Sequence, residues 1–375
     1  GSEMCIRDRY AAGAAGRITG LGNEAVTATG TPTITEVNDL ASMTTGVVTA
    51  NLGTLTLAGT AGLAETGNVY TISISDTAID AAALRALDAK TAGVITLAGA
   101  TSVSGTLADV HAVLTSGGIT GFANPSVQLT GVVTALDANA AAALTTGVVT
   151  ATIAPGEAAT INASLGAIGG ADALTITLTD TTVAATHLSG LNGKTSVAVN
   201  ASSVGTVTGT IAELQAAYAA GVAGLGNEAI TVDGATITVA EAITVIGLTT
   251  GQVTNAIDAT GATNADLATL AEKASQIAGG ITNLALAIPA ASSDIARVAQ
   301  FDGLTDAEAQ ALLSKASGTV TITANAAADW LDLSGFNTLG VDVVIDLLDG
   351  DNTVYLGNGS DTVTAGNGDD YIEVG

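Results

Sequence analysis

The residues best suited to chemistry lie at the end of the chain. Residues 347–375, LLDGDNTVYLGNGSDTVTAGNGDDYIEVG, fit three consecutive frames of nine, Gly-Gly-x-Gly-x-Asp-x-apolar-x. The first frame supplies Asp349, Gly350 and Asn352, the second Gly357, Asn358, Gly359 and Asp361, and the third Gly366, Asn367, Gly368 and Asp370. Glycine lets a backbone adopt positive φ and turn its carbonyls toward one point. Aspartate and asparagine add side-chain oxygens, and an all-oxygen donor set suits Ca²⁺, which takes about six to eight such ligands. These eleven residues are therefore the candidate metal ligands and turn formers, and Ca²⁺ is the expected cofactor. Val354, Val363 and Ile372 occupy the eighth position, where they would form the core beneath the loops. The first frame departs from the pattern, with Leu347 and Leu348 for two glycines and Asn352 for aspartate.

No other part of the chain offers comparable chemistry. SGLNGKTS at residues 189–196 approaches a phosphate loop, but Leu188 stands where the first glycine is required. Lys90-Thr91 and Lys194-Thr195 recur as part of a repeat, which favours a structural role. His111 and His187 do not align with each other and are expected to pack on helix flanks. The chain has no His-Glu-x-x-His or Gly-x-Ser-x-Gly pattern, and its one cysteine, Cys5, leaves no partner for a disulfide or a zinc cluster. The expectation is a protein without an active site. A net charge of −26 with only nine Lys and Arg argues against nucleic acid and anionic membranes, which need a basic surface. No apolar run is long enough to cross a bilayer as a helix.

The elements that must carry the loops are repetitive. ITGLGNEAV (Ile18–Val26) returns as ITGFANPSV (Ile119–Val127) and as VAGLGNEAI (Val222–Ile230), and Thr-Thr-Gly recurs at Thr44, Thr145 and Thr249. The large period is thus about 100 residues in about three copies. Within each copy, short alternating segments such as LTITLTD from Leu174 and YTISISD from Tyr70 read as half-buried strands. Others start near Val47, Val94, Val148, Val197, Ile230 and Val320. Thr33/Glu36, Thr106/Asp109, Thr210/Glu213, Thr238/Glu241, Thr263/Asp266 and Thr305/Glu308 have the spacing of helix capping boxes. Stripes at Ile211, Leu214 and Tyr218, and at Leu107, Val110 and Leu114, give those helices an apolar side. Aromatics are only 2% of the chain, so thin layers of Ala, Val, Ile, Leu and Thr must fill the interior.

The nonapeptide frame resembles the calcium-binding repeat of RTX, or hemolysin-type, proteins. That resemblance implies a parallel β-roll in which each frame is half a turn, so that the loop Leu347–Asn352 partners the loop Ala365–Asp370. It also implies type I secretion and an extracellular location. The Ala-Leu-Thr-Thr-Gly-Val-Val and Gly-Leu-Gly-Asn-Glu-Ala repeats resemble giant repetitive surface proteins of marine bacteria and cyanobacteria. Residues 4–9, MCIRDR, resemble a translated sequencing adapter.

The expected fold is α/β: residues 1–9 an assembly artefact, residues 10–317 an open solenoid of strand–helix repeats with one parallel sheet, 318–346 a junction, and 347–375 the truncated start of a parallel β-roll. Tandem β-sandwich repeats are the alternative. The expected function is that of a fragment of a secreted, calcium-binding cell-surface structural or adhesion protein. Its expected partners are calcium ions, cell-surface polysaccharide and neighbouring repeats of a longer chain. The alternatives are the non-catalytic part of an RTX-type secreted enzyme, or a glycan- or ice-binding module presenting the outward threonines.

Overall fold

The computed structural model describes residues 22–64, 66–288, 304–334 and 341–375. The expected artefact at residues 1–9 and the first four residues of the first repeat signature lie outside them. The chain divides into two compact units, residues up to 177 with 191–199, and residues 178–190 with 200–375.

In the first unit the order is β1 (Val26–Thr27), α1 (Ile34–Met43), β2 (Val48–Leu55), β3 (Val69–Ile74), β4 (Ala78–Asp80), α2 (Ala81–Asp88), β5 (Ile95–Leu97), β6 (Ser102–Gly105), α3 (Leu107–Thr115), β7 (Ile119–Thr120), β8 (Ser126–Val133), α4 (Ala135–Ala142), β9 (Val149–Ile153), α5 (Ala158–Ser164) and β10 (Ala173–Thr175). They build two sheets, β1-β2-β3-β5-β7 and β4-β6-β8-β9-β10.

The chain continues through β11 (Thr182–Ala184), α6 (Ala185–Asn192), β12 (Thr206–Gly209), α7 (Ile211–Ala219), β13 (Ala229–Val232), β14 (Thr236–Thr238), α8 (Val239–Ile246), β15 (Ala256–Asp258), α9 (Asn264–Glu272), β16 (Ile281–Thr282), β17 (Ala285–Ala287), α10 (Asp306–Leu313), β18 (Val320–Thr323), β19 (Trp330–Asp332), β20 (Val343–Asp346), β21 (Thr353–Tyr355), β22 (Thr362–Thr364) and β23 (Tyr371–Glu373). The strands of the second unit form four sheets: β11-β12-β13, β14-β15-β16, β17-β18-β20-β22 and β19-β21-β23.

Every pairing between described strands is parallel. Parallel neighbours need a crossover between them, and here short helices and loops supply it. The fold is α/β, and the all-β sandwich alternative fails on these pairings and on the ten helices among the described residues. The single parallel sheet expected from the sequence is also corrected: the strands sort into several short sheets. Most strand–helix units contribute two strands, one to each of two sheets. The segment at Val197 is not a strand, and only an isolated bridge, Asn200 to Ala223, marks its neighbourhood.

Alternation places side chains as expected. Leu174, Ile176 and Leu178 are buried while Thr175 and Thr179 are exposed, and Tyr70, Ile72 and Ile74 are fully buried. In-register apolar columns such as Ile72–Ile95–Ile119 fill the space beneath the sheets. The predicted threonines cap their helices, and five of the six form full capping boxes. Thr134 with Asp137 adds a box not read from the sequence. The helix stripes are narrower than expected: Val110 with Val113, and Leu214 with Ala217, are buried, while Leu107, Leu114, Ile211 and Tyr218 lie at their margins.

The repeated Thr-Thr-Gly has a mechanical role. Thr44, Thr145 and Thr249 each donate Oγ1–H to a backbone carbonyl of the preceding unit, those of Glu24, Pro125 and Glu228, at 2.7, 2.7 and 2.8 Å. Each hydroxyl also accepts the N–H of the glycine two residues on, Gly46, Gly147 and Gly251. A Cβ on those glycines would fall 2.2, 2.4 and 2.1 Å from the same carbonyl oxygens, so only glycine fits. Lysine serves the same end. Three of the chain's four lysines, Lys90, Lys194 and Lys315, follow a helix and donate Nζ–H to carbonyls of the preceding unit, Leu63, Leu165 and Ile277. Lys194 is thereby occupied, and the phosphate-loop resemblance is accounted for by packing.

Two outcomes follow. Ile176→Asp, which buries an unpaired charge, is expected to cost about 4 kcal/mol in urea unfolding, whereas Thr175→Asp on the outward face costs under about 1 kcal/mol. Gly251→Ala is expected to lose about 2 kcal/mol or more through the backbone clash, while Gly221→Ala, which meets no neighbouring atom and strains only its φ, loses less. Equal losses within either pair contradict this packing.

Candidate cation site in the glycine and aspartate loops

The candidate residues lie in loops that each precede a short strand. The loop at 347–352 leads into β21, that at 356–361 into β22 and that at 365–370 into β23. Strand pairing sets the loops one above another. β20 pairs with β22, matching Ile345 to Val363, and β21 pairs with β23, matching Val354 to Ile372, so each of these strands meets the one two nonapeptide frames further on. The preceding pairs take a longer step: β18 with β20 matches Ile322 to Ile345, and β19 with β21 matches Leu331 to Val354. The loops of residues 347–352 and 365–370 are thus stacked neighbours.

Glycine is needed in this stack for two separate reasons. Gly350, Gly359 and Gly368 have φ of 114°, 151° and 148°, a region open to glycine and strained for other residues. Gly366 and Gly368 also lie against the loop above, where a Cβ would sit 1.8 Å from the Leu348 carbonyl oxygen and 2.0 Å from that of Gly350. The expectation of positive φ at Gly357 and Gly366 is corrected, since neither adopts it. Leu348, standing where the frame has glycine, does so at φ 54°.

The side-chain oxygens form ladders between loops. Asn352, only 1% exposed, receives the Asp329 N–H on Oδ1 at 2.9 Å. Its own N–H and Nδ2–H donate to Asp370 Oδ1 at 3.0 and 2.9 Å, and Nδ2–H also donates to the Gly350 carbonyl at 3.0 Å. Asp349 Oδ1 accepts from the N–H and Nδ2–H of Asn367, and Asp351 Oδ1 accepts from the Asp369 N–H. On the loop at 356–361, Asp361 Oδ1 accepts the Val343 N–H, and the Ser360 N–H donates to Asp342 Oδ1. Asn358 is exposed beside Gly359. Asp329, 4% exposed, also receives two hydrogen bonds from Asn325. Burial pushes its carboxyl above the usual carboxylate range, against the lowering effect of those donors.

The sequence missed Asp329 because the interval from it to Asn352 is not a multiple of the nonapeptide frame. Asp342 was hidden in a stretch with no glycine pair to flag it. The expected core beneath the loops is formed in part: Val354 is fully buried and Val363 half-buried, but Ile372, on the last strand, is 40% exposed. The two histidines stand on separate helices, His111 exposed on α3 and His187 half-buried on α6.

Ten acidic residues and no Lys, Arg or His follow Lys315. Among the described residues no three His, Cys, Asp or Glu side chains converge on one point. A cation here would therefore be held by one or two carboxylates with peptide carbonyls and water. That hard-oxygen set suits Ca²⁺ better than zinc or copper, which favour nitrogen and sulfur. Among the described residues no helix is long and apolar enough to cross a membrane. No family model, curated protein or solved structure matches the chain.

The ladder makes Asn352 the most exacting of these positions. Asn352→Ala leaves a buried Asp329 N–H without its acceptor and removes one of the two donors to Asp370, and is expected to cost about 1–3 kcal/mol in urea unfolding followed by Trp330 fluorescence. Ser360→Ala, at an exposed side chain, is expected to change stability by less than about 0.5 kcal/mol.

Proposed function

We propose that the chain is a calcium-dependent, non-catalytic repeat protein of the cell exterior with a structural or adhesive role. In this reading the strand–helix units form an open solenoid that runs into a parallel β-roll of the RTX type. The observation that carries it is the stack of loops 347–352 and 365–370, in which glycines approach carbonyls and aspartates face N–H groups of the neighbouring loop.

The electrostatics explain why a cation belongs there. Stacking brings Asp349, Asp351, Asp369 and Asp370 together with no base after Lys315, so the folded loops repel themselves unless positive charge is added. Each of Asp349, Asp351 and Asp370 engages Oδ1 with N–H donors, and in this reading a Ca²⁺ ion would take further carboxylate and carbonyl oxygens of the loops. Mg²⁺ serves less well, because it demands a tight octahedron and gives up water reluctantly. A site with few carboxylates binds at about 10⁻⁴ to 10⁻³ M, the range of extracellular modules. At cytosolic calcium the loops would stay loose, and outside the cell they would order. The solenoid supplies length and a regular surface without needing a catalytic pocket.

The test is thermal unfolding of the whole chain by circular dichroism with millimolar Ca²⁺, Mg²⁺ or chelator, with Trp330 fluorescence followed in parallel. Ca²⁺ is expected to raise the midpoint of the transition reporting on Trp330 by several degrees, as binding to the native state alone requires, with Mg²⁺ ineffective and Asp370→Ala abolishing the shift. Melting that is indifferent to Ca²⁺ rejects the proposal.

A further inference from the structure

The chain holds few aromatic residues, one Trp, five Tyr and three Phe, and three of them meet on one surface. Trp330, Tyr355 and Tyr371 stand on the outward face of the sheet β19-β21-β23, opposite the buried Leu331 and Val354. Trp330 and Tyr355 have ring centroids 6.0 Å apart at 86°, and Tyr355 and Tyr371 lie 5.9 Å apart at 58°. The register explains the cluster: Trp330 pairs with Thr353 and Thr353 with Tyr371, while Asp332 pairs with Tyr355 and Tyr355 with Glu373. The rings therefore alternate with a hydroxyl and two carboxylates on one small sheet face. Tyr371 is 53% exposed, and its hydroxyl donates to Glu373 at 3.0 Å.

We propose that this face is a binding site for a neutral polysaccharide, with a pyranose ring stacking on Tyr371, neighbouring sugars resting against Tyr355 and Trp330, and sugar hydroxyls donating to Asp332 and Glu373. The exposed ring of Tyr371 offers flat apolar area at little conformational cost, which matches the C–H face of a sugar, and Tyr355 and Trp330 lie half-buried beside it. Charge selects the class of ligand. The surrounding segment is acidic and has no base, so nucleic acid, phosphosugars and polyuronates are repelled, whereas a neutral polyol brings the hydroxyl donors that the carboxylates accept. An apolar peptide would have to desolvate those same carboxylates without compensation.

This inference deepens the adhesive reading and rests on it for the kind of partner, but it does not depend on calcium. The only tryptophan of the chain lies within the site, so its emission reports on the site directly. The experiment uses the full chain in affinity electrophoresis and fluorescence titration with hydroxyethylcellulose, galactomannan and dextran, and with hyaluronate as the anionic control, each with Ca²⁺ and with chelator. The expected result is retardation and a saturable shift of Trp330 emission with at least one neutral polymer and none with hyaluronate. Tyr371→Ala is expected to weaken binding about tenfold and Tyr371→Phe to retain it, with Leu348→Ala, at an exposed loop residue, unchanged. Absence of retardation by every neutral polymer overturns the proposal, as does retardation that survives the Tyr355→Ala/Tyr371→Ala double variant. A Trp330 shift that depends on protein concentration alone also overturns it, in favour of a second copy on this face. Retardation with calcium-indifferent melting rejects the calcium reading and keeps this one; calcium-dependent melting without retardation does the reverse.

Discussion

Parallel, in-register pairing of each strand with one from the next unit is the constraint on which the other features depend. Once Ile72 must face Ile95, and Ile95 must face Ile119, every intervening segment has to return the chain to the same place within a fixed length. Backbones of successive units then run so close that the glycines of Thr-Thr-Gly have no room for a Cβ. The threonine hydroxyl beside each of them takes up a carbonyl left over at the crossing. Short helices capped by Thr and Glu or Asp fill the return path, because a short capped helix covers the distance while satisfying its own first N–H groups.

One strand pairing beyond α10, the last helix among the described residues, the spacing contracts. The step from Ile322 on β18 to Ile345 on β20 is longer than the next one, from Ile345 to Val363 on β22. In the shorter return a glycine-rich loop stands where the earlier units carry a helix. The acidic residues change partners at the same point. In the helical units a carboxylate reaches back to a threonine in its own capping box, as Glu241 does to Thr238. In the last units Asp349 and Asp370 instead reach the loop stacked beside their own. On the proposed reading, calcium is what makes this second arrangement tolerable to so much negative charge.

Much of this was legible in the sequence, and what was missed has physical reasons. Alternation at Leu174–Leu178 and the six capping pairs are local patterns, and they read directly. The assignment of strands to several sheets did not, because β4, β11 and β14 are very short and each buries a single side chain, Ile79, Val183 or Ile237, which leaves no period to detect. Gly366 reads as a turn former, yet it is required by the Leu348 carbonyl of another loop, a contact that exists only after stacking. Trp330 and Tyr371 are distant in the sequence, and their meeting around Tyr355 depends on two successive strand pairings of unequal step. Such a site is invisible until the register is known.

Amide hydrogen exchange across residues 341–375 of the whole chain, with and without Ca²⁺, tests the central claim most directly. If calcium orders the stacked loops, the N–H groups of Val343, Asn352, Asn367 and Asp369, which donate to carboxylates one loop away, exchange slowly with Ca²⁺ and rapidly with Mg²⁺ or chelator. Protection in the helical units, at Leu214 and Leu267 for example, stays unchanged. Equal protection of those four amides in all three conditions contradicts the account.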